Sequence, residues 1–397
     1  MSTIITGTVA AETFVVGDET YNVAADDGAN TVAAGSGSGT ITALGGADTL
    51  TAMSGSGSYT VINAGHGANT ITTGDGGYIT KDVSDEDAVS TVSIVTAGDG
   101  ADTITVGHGV NSIKAGAGAN TITAGNGDNT ITAKIGIDTI TVGNGDNTIH
   151  AGEGANTVAA GLGNNIITSG SGIDTITAMS GSESVNDIDA GNGANTVTTG
   201  DGSDNIVTGT GIDTITAGAG DDVITVTGGS DTVTAGLGSD ELIIDLAAMS
   251  TDMDSGLLAG YGTYAGKFGD GSANIITYSS VETFNITTGG GNDNITTGDG
   301  DDRLEGGAGN DTLNGGDGDD TLVYNVASNG GFSDQYDGGF GDDTLIFKVS
   351  DDQAGVDLAA EWQGYITSGP TSDEFTFQAV ELTVSNIEYI AFEVDVA

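Results

Sequence analysis

The chain has 397 residues, with 57 Asp and Glu against 6 Lys and Arg, a formal net charge of −51, 70 Gly and no Cys. Six cations cannot build a nucleic-acid surface, the missing cysteines exclude disulfide scaffolds and Cys-ligated zinc, and no stretch reaches the roughly 18–20 apolar residues of a membrane span. A chain this acidic that is still 37% apolar is expected to fold by taking up cations.

The first residues, Met1–Ile5, lack the basic start and long apolar core of a signal peptide. From about Gly7 a nine-residue period sets in and runs to Ile243. It is most regular from Ala97 to Thr177, in units such as AGDGADTIT, AGAGANTIT, VGNGDNTIH and SGSGIDTIT. Positions two and four are nearly always Gly, which supplies the positive φ of a tight turn without steric cost. Position six is Asp or Asn. Position eight is aliphatic, as at Ile104, Ile122, Ile140, Val158, Ile176, Leu313 and Leu322. Positions seven to nine and the following position one read as a short strand whose side chains alternate, seven and nine outward, eight and one inward. Two units complete an 18-residue coil. The expected fold class is therefore all-β, a right-handed parallel β-roll or β-solenoid of nonapeptide repeats with two sheets back to back. Residues 1–243 form its N-terminal part, with inserts at 52–63, 73–96 and 178–189.

Residues 244–287 break the frame and carry Tyr261, Tyr264, Phe268, Tyr278 and Phe284, which suits an insertion packed on the roll. The frame returns over 288–346 as TGGGNDNIT, TGDGDDRLE, GGAGNDTLN and GGDGDDTLV, is interrupted at 324–337, and appears once more as GGFGDDTLI from Gly338. Residues 347–397 are expected to form a C-terminal β cap: from Asp373 the chain alternates with period two, the pattern of strands that cover an open sheet edge.

These units, above all Gly306–Val323, resemble the repeats-in-toxin (RTX, hemolysin-type) family, whose nonapeptide GGxGxDxUx folds as a parallel β-roll and binds Ca²⁺ in its turns. The resemblance covers most of the chain and is looser upstream, where Ala replaces the first Gly and Asn often replaces Asp. It implies several bound Ca²⁺ ions. It also implies an uncleaved type I secretion signal in the C-terminal segment, and hence export from a Gram-negative bacterium.

Units on one edge of the roll lie one rung, about 4.8 Å, apart. Two carboxylates at that distance repel by about 1 kcal/mol in water and about 3.5 kcal/mol at an effective dielectric of 20. A column of Asp therefore needs a cation, and a column of Asn does not. Asp204, Asp222 and Asp240 form one such column and Asp213 with Asp231 another; Asp293 with Asp311, and Asp302 with Asp320, repeat the arrangement, and Asp343 belongs to the last unit. Asn111, Asn129, Asn147 and Asn165 form an all-Asn edge, while its partner alternates as Asp102, Asn120, Asp138, Asn156 and Asp174. Carboxylates and turn carbonyls are hard oxygen ligands that suit Ca²⁺. The Asp residues named here are the candidate metal ligands, with 288–346 ranked first, 199–243 second and the Asn-rich stretch last.

Assigning alternate units to two sheets gives one sheet 20 Thr in 22 outward positions and the other 8 in 22. Strand propensity acts on both sheets alike, so the segregation points to a surface. Two readings are open: a flat packing face for neighbouring copies, or an ice-binding or adhesive plane. No catalytic constellation accompanies it. His66, His108 and His150 lie far apart on the frame, and neither H-E-x-x-H nor G-x-S-x-G occurs. The expectation is a non-enzymatic, secreted calcium-binding structural protein. It would assemble with itself at a bacterial cell surface or in a matrix, as a surface-layer or filament subunit.

Overall fold

The computed structural model describes residues 3–7, 11–53, 60–74, 92–257, 265–271, 274–350, 352–367 and 374–394. They fall into two compact units, Met1–Thr208 and Gly209–Ala397.

In the first unit the nonapeptides form short strands, most of them of four residues as in Thr103–Val106 and Thr121–Ala124, because Thr and Ile suit a half-buried pleat, and the next Gly pair turns the chain back. Burial alternates as expected: in Thr103–Val106 and Thr121–Ala124 the Thr side chains are exposed, while Ile104, Val106, Ile122 and Ala124 are buried. Parallel pairing carries the 18-residue repeat, with Thr103 opposite Thr121, Thr121 opposite Thr139 and Thr139 opposite Thr157 in one sheet. In the other, Ser112 meets Thr130, which meets Thr148. Small and branched residues fill the thin space between: Ile104, Ile122 and Ile140 from one side, Ile113, Ile131 and Ile149 from the other, all 0–1% exposed. Each such Ile contributes about 2–3 kcal/mol by burial.

Extra residues leave the register intact. Thr49 pairs with Thr70, Thr175 with Thr196 and Ile166 with Asp187. Thr70 likewise pairs with Thr103 across the longest insert, whose residues 75–91 lie outside the described set, as do 54–59 of the first insert. Glycine is obligatory where rungs stack tightly. Gly118 has φ 122°, and a Cβ there would collide with the carbonyl of Gly100.

The second unit continues the same two-sheet plan. Thr214 pairs with Thr232 and Val223 with Glu241; Asn285 pairs with Arg303, which pairs with Thr321. Within 244–287, Ile275–Ser279 and Thr283–Thr287 join the parallel ladders, with Thr232 opposite Thr277 and Glu241 opposite Thr283. Asp254–Leu257, Ala265–Gly269 and Ile275–Ser279 add an antiparallel element; residues 258–264 and 272–273 are outside the described set. The interruption at 324–337 lengthens one coil, so that Thr312 meets Gln335 and Thr321 meets Thr344.

Beyond Val349 the structure adds an element that period-two patterning does not show, the helix Asp352–Thr367. Leu358 and Trp362, four residues apart, bury against the strands Thr344–Val349, Glu374–Phe377 and Tyr389–Val394. Trp362 stacks on Phe377 at 5.9 Å, and Phe377 meets Phe347 edge-on at 4.9 Å. Leu382–Ser385 and Tyr389–Val394 extend the two sheets in parallel, and Glu374–Phe377 pairs antiparallel with the former. Among the described residues, no helix is long and apolar enough to cross a membrane.

Candidate metal-binding edges

Position six of each unit ends a turn and opens a strand, and three hydrogen bonds fix it there. In the first unit the carbonyl of Asp102 accepts the Thr121 N–H at 2.8 Å. The Asp102 N–H donates to Asn120 Oδ1 at 3.1 Å, and Asp102 Oδ1 accepts the Asn69 N–H at 2.7 Å. Each side chain thus reaches back along the edge to the backbone of the preceding rung. The turn geometry leaves these residues 0–1% exposed.

Every candidate ligand occupies this position. Asp138 and Asp174 accept the N–H groups of Asn120 and Asn156, each at 2.7 Å. Asp204, the last of them in the first unit, accepts from Asn186 at 2.7 Å and from the Ser180 hydroxyl at 3.0 Å. In the second unit Asp213 donates its N–H to Asp231, and Asp222 to Asp240, both at 2.9 Å. Two longer columns follow: Asp293 to Asp311 to Asp334, and Asp302 to Asp320 to Asp343, linked at 2.8–2.9 Å. Asp293 and Asp302 themselves accept the N–H groups of Met253 and Phe284.

Asp204 uses both carboxylate oxygens, but at most of these positions one oxygen is used in this way and the other is not. Oδ2 of Asp48, Asp102, Asp138, Asp174, Asp231, Asp240, Asp293, Asp302, Asp311, Asp320, Asp334 and Asp343 is buried without a hydrogen-bond partner. The Asn residues at the same position show what this oxygen faces. Asn120 Nδ2 donates to the carbonyls of Gly116 and Gly118 at 3.5 and 3.0 Å, and Asn156 Nδ2 to that of Gly152 at 2.9 Å. An Asp there turns an acceptor towards acceptors, an arrangement that calls for a cation or a proton. In the second unit the cradle is kept open at position one. A Cβ at Gly306 would lie 2.7 Å from Asp311 Oδ2, one at Gly338 2.5 Å from Asp343 Oδ2, and one at Gly315 closer still to Asp320 Oδ2. These residues fit Ca²⁺, which takes carboxylate and carbonyl oxygens. Asp oxygens and glycine carbonyls would hold it, and its charge would neutralise the column. Among the described residues no three acid or imidazole side chains converge on one point, so carbonyls must supply much of any ligand shell.

The electrostatics agree. Burial is the main cause of the shift at each of these Asp residues. It raises the carboxyls of Asp231, Asp302 and Asp311 from 3.8 to about 7, and those of Asp240, Asp320 and Asp334 to about 6. Neighbouring carboxylates add to the rise, Asp213 on Asp231 and Asp334 on Asp311, and the backbone N–H bonds oppose it. Asp48, Asp102, Asp138, Asp174, Asp204, Asp293 and Asp343 are raised for the same leading reason.

Column reasoning from sequence misses Asp48, which accepts the Asn30 N–H at 2.8 Å, and Asp334. It also misses Glu282 and Glu388, which take the N–H groups of Asp240 and Asp343 at 2.9 Å. His66 and His108 have a structural place: their Nδ1 atoms accept the N–H groups of Asp99 and Asn126 one rung on.

A family model describing the RTX calcium-binding nonapeptide repeat, in four copies, matches residues 25–59, 107–140, 141–176, 180–215, 207–242 and 287–322, together about half of the chain. No curated protein matches it.

Proposed function

The chain belongs to the RTX calcium-binding repeat family, and from that premise we propose that it is a secreted structural protein that folds on Ca²⁺ outside the cell. There it associates with copies of itself, as a surface-layer or filament subunit at a Gram-negative cell surface or in a matrix. The observation that carries the calcium reading is the series of buried Asp Oδ2 atoms without partners. Extracellular calcium modules work at roughly 10⁻⁴–10⁻³ M, so the columns stay charged and loose at cytosolic calcium and close after export.

Self-association is supported by one face of the first unit. Thr49, Thr70, Thr103, Thr121, Thr139 and Thr175 stand in direct register, outward and exposed. The other sheet presents Lys114, His150, Asp187 and Asp189 at the equivalent outward positions. On a molecule of charge −51, an uncharged ladder is where a second copy approaches without desolvating carboxylates. The same flatness favours the second reading, an ice-binding or adhesive plane.

The test is electron microscopy and circular dichroism of the purified protein, metal-stripped and with millimolar Ca²⁺. An unchanged spectrum and hydrodynamic radius on stripping would refute calcium-coupled folding. Thr139→Tyr with Thr175→Tyr places rings on the Thr face, and Thr130→Tyr with Asn205→Tyr places them on the other. Loss of ordered assemblies in the first pair alone supports packing. Loss of ice shaping alone supports the second reading, and no difference between the pairs removes both.

A further inference from the structure

The edge of the first unit that runs through Asn111, Asn129, Asn147, Asn165 and Asn186 is closed without any ion. Each amide of the first four donates to the carbonyl oxygen of the next: Asn111 to Asn129 at 2.7 Å, then Asn129 to Asn147, Asn147 to Asn165 and Asn165 to Asn186, each at 2.9 Å. The same Nδ2 groups also meet the turn carbonyls. Asn129 reaches Gly125 at 3.0 Å and Gly127 at 2.7 Å, and Asn147 reaches Gly143 and Gly145 at 3.2 and 2.8 Å. The reversed amide orientation would set an oxygen against those carbonyls, so the donor assignment follows from the acceptors around it. All five Asn are 0–1% exposed. The site that an Asp column would leave to a cation is filled here by an NH₂ group. These residues do not fit Ca²⁺: a donor stands where the ion would sit.

The opposite edge of the same rungs interposes Asn between its carboxylates. Asn120 separates Asp102 from Asp138, and Asn156 separates Asp138 from Asp174. At two rungs, about 9.6 Å, the repulsion between two carboxylates at an effective dielectric of 20 falls to about 1.7 kcal/mol, half of its value on adjacent rungs. No two carboxylates are stacked on adjacent rungs there, in contrast to Asp293, Asp311 and Asp334.

We propose that the Asn111–Asn186 edge is a built-in substitute for the bound cation, so that the rungs it joins stay folded without calcium while the Asp-edged rungs of 288–346 do not. Asn against Asp stacked on Asp at position six is then a residue-level code for which edges are permanent and which are metal-gated. The second half of the proposal rests on the calcium reading above, and the first does not.

Hydrogen exchange of the full chain, metal-stripped against calcium-loaded, separates the two halves. Stripping should accelerate exchange in 288–346 by roughly a hundredfold or more and in 107–186 by less than about threefold. Comparable acceleration in both overturns the Asn substitution; no change in either overturns the calcium reading of 288–346. The double variant Asn129→Asp with Asn147→Asp should make 107–186 calcium-dependent. Exchange in the stripped protein should be roughly tenfold to a hundredfold faster than wild type, with recovery in millimolar Ca²⁺. Wild-type protection in the stripped variant overturns the code. Asn129→Ala removes the amide without adding charge, so it should weaken the edge equally with and without calcium; weakening only in the stripped state also overturns it.

Discussion

Removing metal should make the second unit an acid-stabilised fold. Asp231, Asp302 and Asp311 ionise near 7 in the folded chain and near 3.8 when unfolded. The native state therefore holds more protons between those values, and stability falls as pH rises through the window. Below pH 4 the groups are protonated in both states and add no penalty. Above pH 7 each shift of about three units corresponds to a cost on the order of 4 kcal/mol. The carboxylates within one column titrate together, so costs within a column do not add, but Asp231, Asp302 and Asp311 stand in three different columns. Two of them rival the 5–15 kcal/mol that holds an ordinary domain together. Protein stripped by gel filtration, because chelators weaken in acid, should gain β circular dichroism and contract as pH is lowered from 7.5 to 5, with a midpoint between 6 and 7. In millimolar Ca²⁺ the trend reverses, since protons then compete with the ion for the same oxygens. Stripped protein whose β signal is flat or declines over that range would refute the reasoning.

Three further outcomes are expected. Gly315→Ala, which drives a Cβ into Asp320 Oδ2, should raise the calcium midpoint for folding by roughly tenfold, whereas Gly330→Ala, with nothing within 4 Å of the added carbon, should not move it. Lys348→Met leaves Glu305, whose side chain is 14% exposed, without the Nζ it meets at 2.6 Å. Differential scanning calorimetry in calcium should show a cost of about 2 kcal/mol, discounted for the residual exposure of the pair, or a Tm lower by about 4–8 °C. Deleting residues from Asp373 onward should abolish export, as read by fractionation of secreting cells, and normal secretion of a stable truncation would sink the C-terminal signal.

The roll can be read from sequence because its register is set locally. Ile104, Ile122 and Ile140 recur every 18 residues and can only be inward together. What periodicity cannot show is how position six is spent. The sequence presents Asp and Asn there as turn ligands, but Oδ1 is already committed to the preceding rung, which leaves one oxygen at each of Asp293, Asp302, Asp311 and Asp320. Asp48 escapes column reasoning because its neighbours on the edge are Asn30 and Asn69, so no carboxylate repulsion marks it. Asp334 escapes because five residues inserted upstream shift it out of frame, although its column is intact in space. The helix Asp352–Thr367 is hidden by composition: Leu358 and Trp362 are too few to signal a helical period in a β-rich chain.

The spacing between paired residues in the first unit also bears on how such a chain changes length. Thr121 contacts its counterparts at Thr103 and Thr139 and nothing further along the ladder, so energetic coupling passes between nearest neighbours only. Excising residues 115–132 joins Lys114 to Ala133 with position nine still followed by position one, and brings Thr103 to face Thr139 with every inward Ile in place. Loss or gain of whole 18-residue segments can therefore shorten or extend the molecule in steps of one coil, about 4.8 Å, without redesigning a core. Size in this architecture is inherited as a copy number.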